Sequence, residues 1–192
     1  MPEQLSMFTI QTTGPEGLRY ASEFITPKIE EELIARIRDL PLRPFQFGQF
    51  EGKRRVASFG YQYNYSLRRL ELAESIPSWL GDVICTVESF GGPSTEIRQV
   101  LCTEYAAGVG IGWHRDKPHF GRIFGLSLAS SCKFRFRRSS GSSWDRFTLD
   151  AEPRSLYMMA GPARTNWEHS IPAVEATRYS ITFRTTLDGF TA

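Results

Sequence analysis

The chain has 192 residues, 41% of them hydrophobic, 13% aromatic and 23% charged, with a net charge of +2. That length suits one domain whose core needs no staples, and the apolar and aromatic content excludes a disordered chain. No apolar run reaches the 18 residues of a membrane-spanning helix, the start Met-Pro-Glu-Gln-Leu-Ser has no signal-peptide pattern, and Cys85, Cys102 and Cys132 are odd in number with no C-x-x-C pair, so a reduced, cytoplasmic, monomeric protein is expected.

The first predicted helix starts at Thr26 as N-cap with Pro27 behind it, has an acidic opening at Glu30, Glu31 and Glu32, and carries the apolar stripe Ile29, Leu33, Ile37 and Leu40. Residues 1–52, which hold eight acids and five bases, read as helical support. Residues 53–70 differ in texture: Lys53, Arg54, Arg55, Arg68 and Arg69 occur with no acid and interleave with Phe59, Tyr61, Tyr63 and Tyr65. Basic residues among aromatics suit a nucleic-acid backbone and its bases; a buried strand face with capped hydroxyls fits the tyrosines equally well. A second helix is expected over Ser78–Phe90, with Leu80, Val83, Ile84 and Val87 inward and Gly91-Gly92-Pro93 as its stop. Beyond it come short β-branched and aromatic segments near 97–105, 122–129, 132–138, 145–149, 154–160 and 178–186. Helices first and strands later predict an α+β chain with a jelly-roll double sheet over 95–186. Lys133, Arg135, Arg137 and Arg138 form a second basic cluster.

Only three histidines occur. His114 and Asp116 stand at i and i+2 in Trp113-His114-Arg115-Asp116, a spacing that puts both on one side of an extended segment, and His169 follows 55 residues later. Two imidazoles and a carboxylate suit a non-haem Fe(II) site with open positions; they also suit zinc in a hydrolase. His119 reads as a rim residue. Arg178 and Arg184, six apart, share a strand face with Ser180 and Thr182, and two guanidinia inside a barrel call for an anion such as 2-oxoglutarate. Both arginines in water on an edge strand is the simpler alternative.

The order Tyr105, His114-x-Asp116, His169 and Arg178-Tyr-Ser-Ile-Thr-Phe-Arg184 resembles the AlkB family of Fe(II)/2-oxoglutarate dioxygenases over about residues 55–186. The resemblance implies a double-stranded β-helix with an N-terminal helical support and a nucleotide-recognition lid at 53–70. It implies His114, Asp116 and His169 as iron ligands and catalytic centre, with Arg178, Arg184, Tyr105, Thr103 and Ser180 on the cosubstrate. It also implies Fe(II), 2-oxoglutarate and O2 as cofactor and cosubstrates, and DNA or RNA as partner. Thr103 and Ser180 stand where the family's motifs have asparagine, and Gly161-Pro162-Ala163-Arg164 is similar to its Gly-x-Ser-Arg turn. Tyr61, Tyr63, Tyr65, Arg54, Arg55, Trp113 and Arg164 are the candidates for substrate contact.

The activity implied is oxidation of an N-alkyl carbon on a base, followed by release of formaldehyde, as in DNA repair. Pro118 stands where the repair prototype has a second acid, while Gly110-Ile111 and Pro153-Arg154-Ser155-Leu156 are closer to the branch acting on tRNA wobble uridines. A tRNA-modifying hydroxylase, or an oxygenase of protein or small molecules, therefore stays open. So does a non-catalytic nucleic-acid-binding module built on 53–70 and 133–138.

Overall fold

Apolar side chains that alternate along a strand need a covered face, and here two opposed coverings meet that need. The computed structural model describes residues 10–11, 14–47, 49–64, 67 and 69–187. Its strands are β1 (Ile10–Gln11), β2 (Leu18–Ala21), β3 (Arg43–Phe47), β4 (Phe50–Phe59), β5 (Tyr61–Asn64), β6 (Arg69–Leu72), β7 (Gln99–Tyr105), β8 (Ile111–His114), β9 (Phe120–Leu128), β10 (Cys132–Ser140), β11 (Ser143–Ala151), β12 (Leu156–Met159), β13 (Glu168–Ile171) and β14 (Arg178–Thr186). The large sheet runs β1-β2-β12-β9-β14-β7-β4-β3, the small one β11-β10-β13-β8, and β5-β6 form a separate hairpin. The paired strands are antiparallel, as a jelly roll requires.

The two long helices lie on the outer face of the large sheet. α1 (Pro27–Arg38) begins where expected: the Thr26 hydroxyl accepts from the Ile29 N–H at 3.3 Å, and Leu33 and Ile37 are buried. A 3-10 turn over Ser78–Leu80 leads into α2 (Gly81–Gly91), which Gly92 ends at φ +86°. Leu33, Ile37, Val83, Val87 and Phe90 pack on Cys102, Phe124, Leu126, Tyr179, Ile181 and Phe183. The even positions of β14 therefore face the other way, toward the small sheet. There a second core gathers Tyr105, Phe120, Ile123, Phe134, Phe136, Tyr157, Met159 and Ile171.

Two expected boundaries move. Residues 1–52 are not purely helical support: β1 and β2 extend one edge of the large sheet and β3 the other, because long-range pairing with β12 and β4 outweighs local propensity. The 53–70 segment divides at Gly60 (φ +78°), its first part joining the large sheet as β4 and only the hairpin standing apart. Cys102 and Cys132 are buried, Cys85 is exposed, and all three are free thiols. Among the described residues, no helix is long and apolar enough to cross a membrane.

Gly125 on β9 leaves room for the ring of Tyr157, its cross-strand partner on β12. An added Cβ there would meet the Tyr157 ring at 2.1 Å. Gly125→Ala is expected to lower stability by about 1–3 kcal/mol, read as a drop in urea midpoint; an unchanged midpoint would show that the ring moves freely.

Candidate functional site

β8 is the edge of the small sheet and β13 its neighbour, and His114 pairs directly across to His169. The two rings lie 4.2 Å apart, centroid to centroid. Asp116 follows two residues after His114, past the end of β8, and its Oδ2 comes within 3.3 Å of His169 Nε2. One ligand atom from each of the three residues lies within 4.8 Å of the others. The His114 Nδ1–H donates to the Gly112 carbonyl at 2.8 Å, which in the neutral ring leaves the lone pair on Nε2.

The electrostatics keep this donor set ready for a cation. Burial opposes charge on Asp116, but the Arg184 guanidinium and then the two imidazoles more than offset it, so its carboxyl lies well below the usual range. Burial, and then the neighbouring His169, push the His114 imidazole from 6.5 down to about 4. A neutral imidazole and an ionised carboxylate are the forms that bind metal. With chelator present, the unfolded chain takes up a proton near 6.5 while the folded one resists until about 4. Stability should thus be full above 6.5 and fall as pH drops toward 4. Urea midpoints across that window check this, and a flat profile would exclude a buried neutral His114.

β14 supplies the rest. Its register sets Arg178 opposite Tyr105, Ser180 opposite Thr103 and Arg184 opposite Gln99 on β7, with Ser127 of β9 beside Ser180. Arg178 is buried; its Nε donates to Ser127 Oγ at 3.1 Å, its guanidinium lies 5.3 Å from the Tyr105 ring centre, and its Nη1 has no partner. A buried guanidinium with an orphaned N–H fits the carboxylate of a small acid. Thr103, Tyr105, Tyr157, Thr182 and Arg184 line an inner cavity with all three members of the cluster. The donor set fits an iron ion, and the orphaned guanidinium fits 2-oxoglutarate.

Arg184, expected on the cosubstrate, lines the same cavity and also reaches the metal cluster. Its Nε and Nη2 donate to Asp116 Oδ1 at 3.1 and 2.7 Å, and its Nη1 donates to Gln99 Oε1 at 2.8 Å. The fork thus holds the Asp116 carboxylate in place. Spacing alone could not show this, because the partner sits in a loop 68 residues away.

Outside the cluster opens a groove of about 1060 Å³ lined by Arg43, Phe45, Arg54, Tyr63, Trp113 and Lys117, among others. Arg54 stacks on Phe45 at 4.0 Å, and Lys117 lies 4.7 Å from the Tyr63 ring centre. His119 packs on the Tyr63 ring and is no part of the metal cluster. Three expected contacts are not made. Arg55 points to β7 and pairs with Glu104 at 2.8 Å, since alternation sends it to the face opposite Arg54. Arg164, on α3 (Gly161–Thr165), is buried and donates to the carbonyls of Lys117 and Phe120, bracing the loop after the metal motif. Tyr61 packs against the inner core and not the groove. Tyr65 lies outside the described residues. Sequence reasoning missed Gln99, Ser127 and Tyr157; for Gln99 the signal was its even spacing from Thr103 and Tyr105.

Set against known proteins, the family model described as the 2OG-Fe(II) oxygenase superfamily matches residues 17–184. The chain belongs to that superfamily. It is AlkB-like: it is 30% identical over 181 residues to the "Alkylated DNA repair protein ALKBH8 homolog" of Arabidopsis thaliana, covering 81% of this chain and 51% of that protein. It is 29% identical over 167 residues to the "tRNA (carboxymethyluridine(34)-5-O)-methyltransferase ALKBH8" of Macaca fascicularis, covering 82% and 24%. The chain thus spans about half the length of the first of these relatives and about a quarter of the second. Among solved structures, OsALKBH1 superposes with a TM-score of 0.68 at 16% identity, covering 92% of this chain and 100% of that one. A Pseudomonas putida prolyl-4-hydroxylase reaches 0.64 at 12%, covering 90% and 94%. These two matches bear on the fold, which is the expected jelly roll. Enzymes of this superfamily are dioxygenases that use Fe(II), 2-oxoglutarate and O2, and the His114, Asp116 and His169 cluster is a possible iron site.

Proposed function

We propose that this AlkB-like dioxygenase oxidises an alkyl carbon carried on a nucleobase of DNA or RNA. The observation that carries the reading is the groove: it opens onto the metal cluster, and its cations Arg43, Arg54, Arg115 and Lys117 face Glu74 as the only acid besides Asp116 among its lining residues. A basic, aromatic-walled groove suits a phosphate backbone with one base turned inward. Bound Fe(II) and 2-oxoglutarate supply the oxidising power, with O2 consumed, succinate and CO2 formed, and one oxygen atom placed in a C–H bond.

The chain's own residues do the positioning. His114, Asp116 and His169 hold the ion, Arg184 orients Asp116, and Arg178 with Tyr105, Thr103 and Ser180 holds the far carboxylate of 2-oxoglutarate. Tyr63 and Trp113 flank the entering base. Where the oxidised carbon is an N-methyl group, the hydroxymethyl product loses formaldehyde and the base is restored.

A second reading is hydroxylation of a carbon-linked side chain on uridine in tRNA. Pro118 favours it, since the position beyond Asp116 offers no carboxylate to a cationic alkylated base. The relative from Macaca fascicularis is, by its name, a tRNA carboxymethyluridine enzyme.

One panel separates the readings: succinate formation with N-methylated DNA, N-methylated RNA and total tRNA, with products followed by mass spectrometry. Release of formaldehyde from methylated oligonucleotides supports dealkylation, and oxygen gained by a tRNA uridine supports the second reading. Succinate formation that no nucleic acid stimulates would overturn both.

A further inference from the structure

The second basic cluster lies outside the groove, and strand alternation sends it to one place. Lys133, Arg135 and Arg137 of β10 alternate with the buried Phe134 and Phe136, so they stand on the outer face of the small sheet. Trp144, Arg146, Thr148 and Asp150 of β11 share that face, as does Glu168 of β13. Four cations there meet two acids, through Lys133–Asp150 at 2.6 Å and Arg137–Glu168 at 2.7 Å. Arg135 and Arg146 have no carboxylate partner among the ion pairs of the described residues.

Two indoles lie among these cations. The Arg137 guanidinium sits 4.4 Å from the Trp113 ring centre and 4.5 Å from that of Trp144, and Arg135 sits 5.2 Å from Trp113. Trp144 is 43% exposed, a large apolar area to leave in water on a sheet face. Trp113 belongs to both surfaces: it lines the groove beside His114 and stacks on the arginines of the outer face. The basic aromatic surface therefore continues from the groove across β13 and β10 to β11, three strand spacings or about 14 Å.

We propose that this outer face is a binding track for single-stranded nucleic acid flanking the nucleotide in the groove. Arg135 and Arg146 contact phosphates, and the open face of Trp144 stacks on an unpaired base. Exposed aromatics flanked by arginines on a sheet surface fit this ligand, because every base offers a π-face and every linkage a negative charge. The track rests on the proposed nucleic-acid substrate and adds where the rest of the strand runs.

The test uses fluorescence anisotropy of the iron-loaded protein with unmodified single-stranded RNA and DNA 12-mers, a trinucleotide, and polyglutamate as a purely anionic control. Trp144→Ala is expected to weaken 12-mer binding by about 5- to 150-fold, the range for losing one base stack. Arg135→Glu with Arg146→Glu is expected to weaken it and to flatten its salt dependence. Trinucleotide binding and substrate-independent turnover of 2-oxoglutarate should not change, and circular dichroism melts confirm that these surface variants fold. The relative loss on RNA and DNA shows which strand the track serves.

Equal 12-mer affinity in wild type and variants overturns the track and leaves the nucleic-acid substrate standing. Polyglutamate binding as tight as the 12-mer overturns it too, as the mark of a bare charged surface. A wild type that binds no oligonucleotide overturns the track together with the proposed substrate class.

Discussion

Asp116→Ala is expected to abolish iron binding and, with it, turnover. Asp116 is the only carboxylate of the cluster, and its removal leaves two imidazoles to hold the ion. Loss of a partner that merely supports a ligand costs about 10–100-fold in metal affinity, and loss of the ligand exceeds that. The variant also strands Arg184, whose fork is 12% exposed and keeps the Gln99 amide and the Phe120 ring but no carboxylate among the described residues. A buried charge without its partner costs about 3–5 kcal/mol. His114→Ala separates the two effects, since it deletes a ligand without stranding Arg184. Metal titration should show iron lost in both variants, and thermal melts of the metal-free proteins should show the larger loss in Asp116→Ala. Full iron binding in either variant would remove that residue from the ligand set.

Arg178→Ala is expected to raise the 2-oxoglutarate concentration needed for half-maximal turnover by about 30- to 1000-fold. Truncating one partner of a buried, hydrogen-bonded charge pair costs about 2–4 kcal/mol. Arg178 touches none of the metal cluster, its contacts being Ser127 and the Tyr105 ring, so iron affinity should not change. Arg178→Lys keeps the charge but loses the planar fork, and part of the affinity should return. An unchanged requirement for 2-oxoglutarate in Arg178→Ala would place the cosubstrate elsewhere.

What could be read from the sequence divides along a physical line. The i, i+2 spacing of His114 and Asp116, the period of α1 and the alternation in β10 and β14 are local, and each stands in the structure as expected. The even spacing of Arg178 and Arg184 did put them on one inward face. Their partners were not legible, because they depend on which strand lies alongside: Arg184 reaches Asp116 and Arg178 reaches Ser127 through contacts 68 and 51 residues apart. The same blindness explains the lid. Alternating tyrosines looked continuous with the basic run before them, yet pairing with β7 claims the first part for the large sheet and sets Arg55 against Glu104. Arg164 had the composition of a substrate contact, and only the tertiary fold turns its donors onto two backbone carbonyls.

β8 is four residues long and has one neighbour, and its pairing with β13 is irregular between His169 and Ile171. Such an edge would fray readily by itself. His114 on β8 and His169 on β13 nevertheless sit where one ion joins them, so iron would fasten the edge as a cross-link fastens a loop of 55 residues. Ile111 and Trp113 ride on the same four residues and form part of the groove wall. Metal loading and groove integrity are on this account one equilibrium: a chain emptied of iron loses the firmness of its substrate wall along with its chemistry.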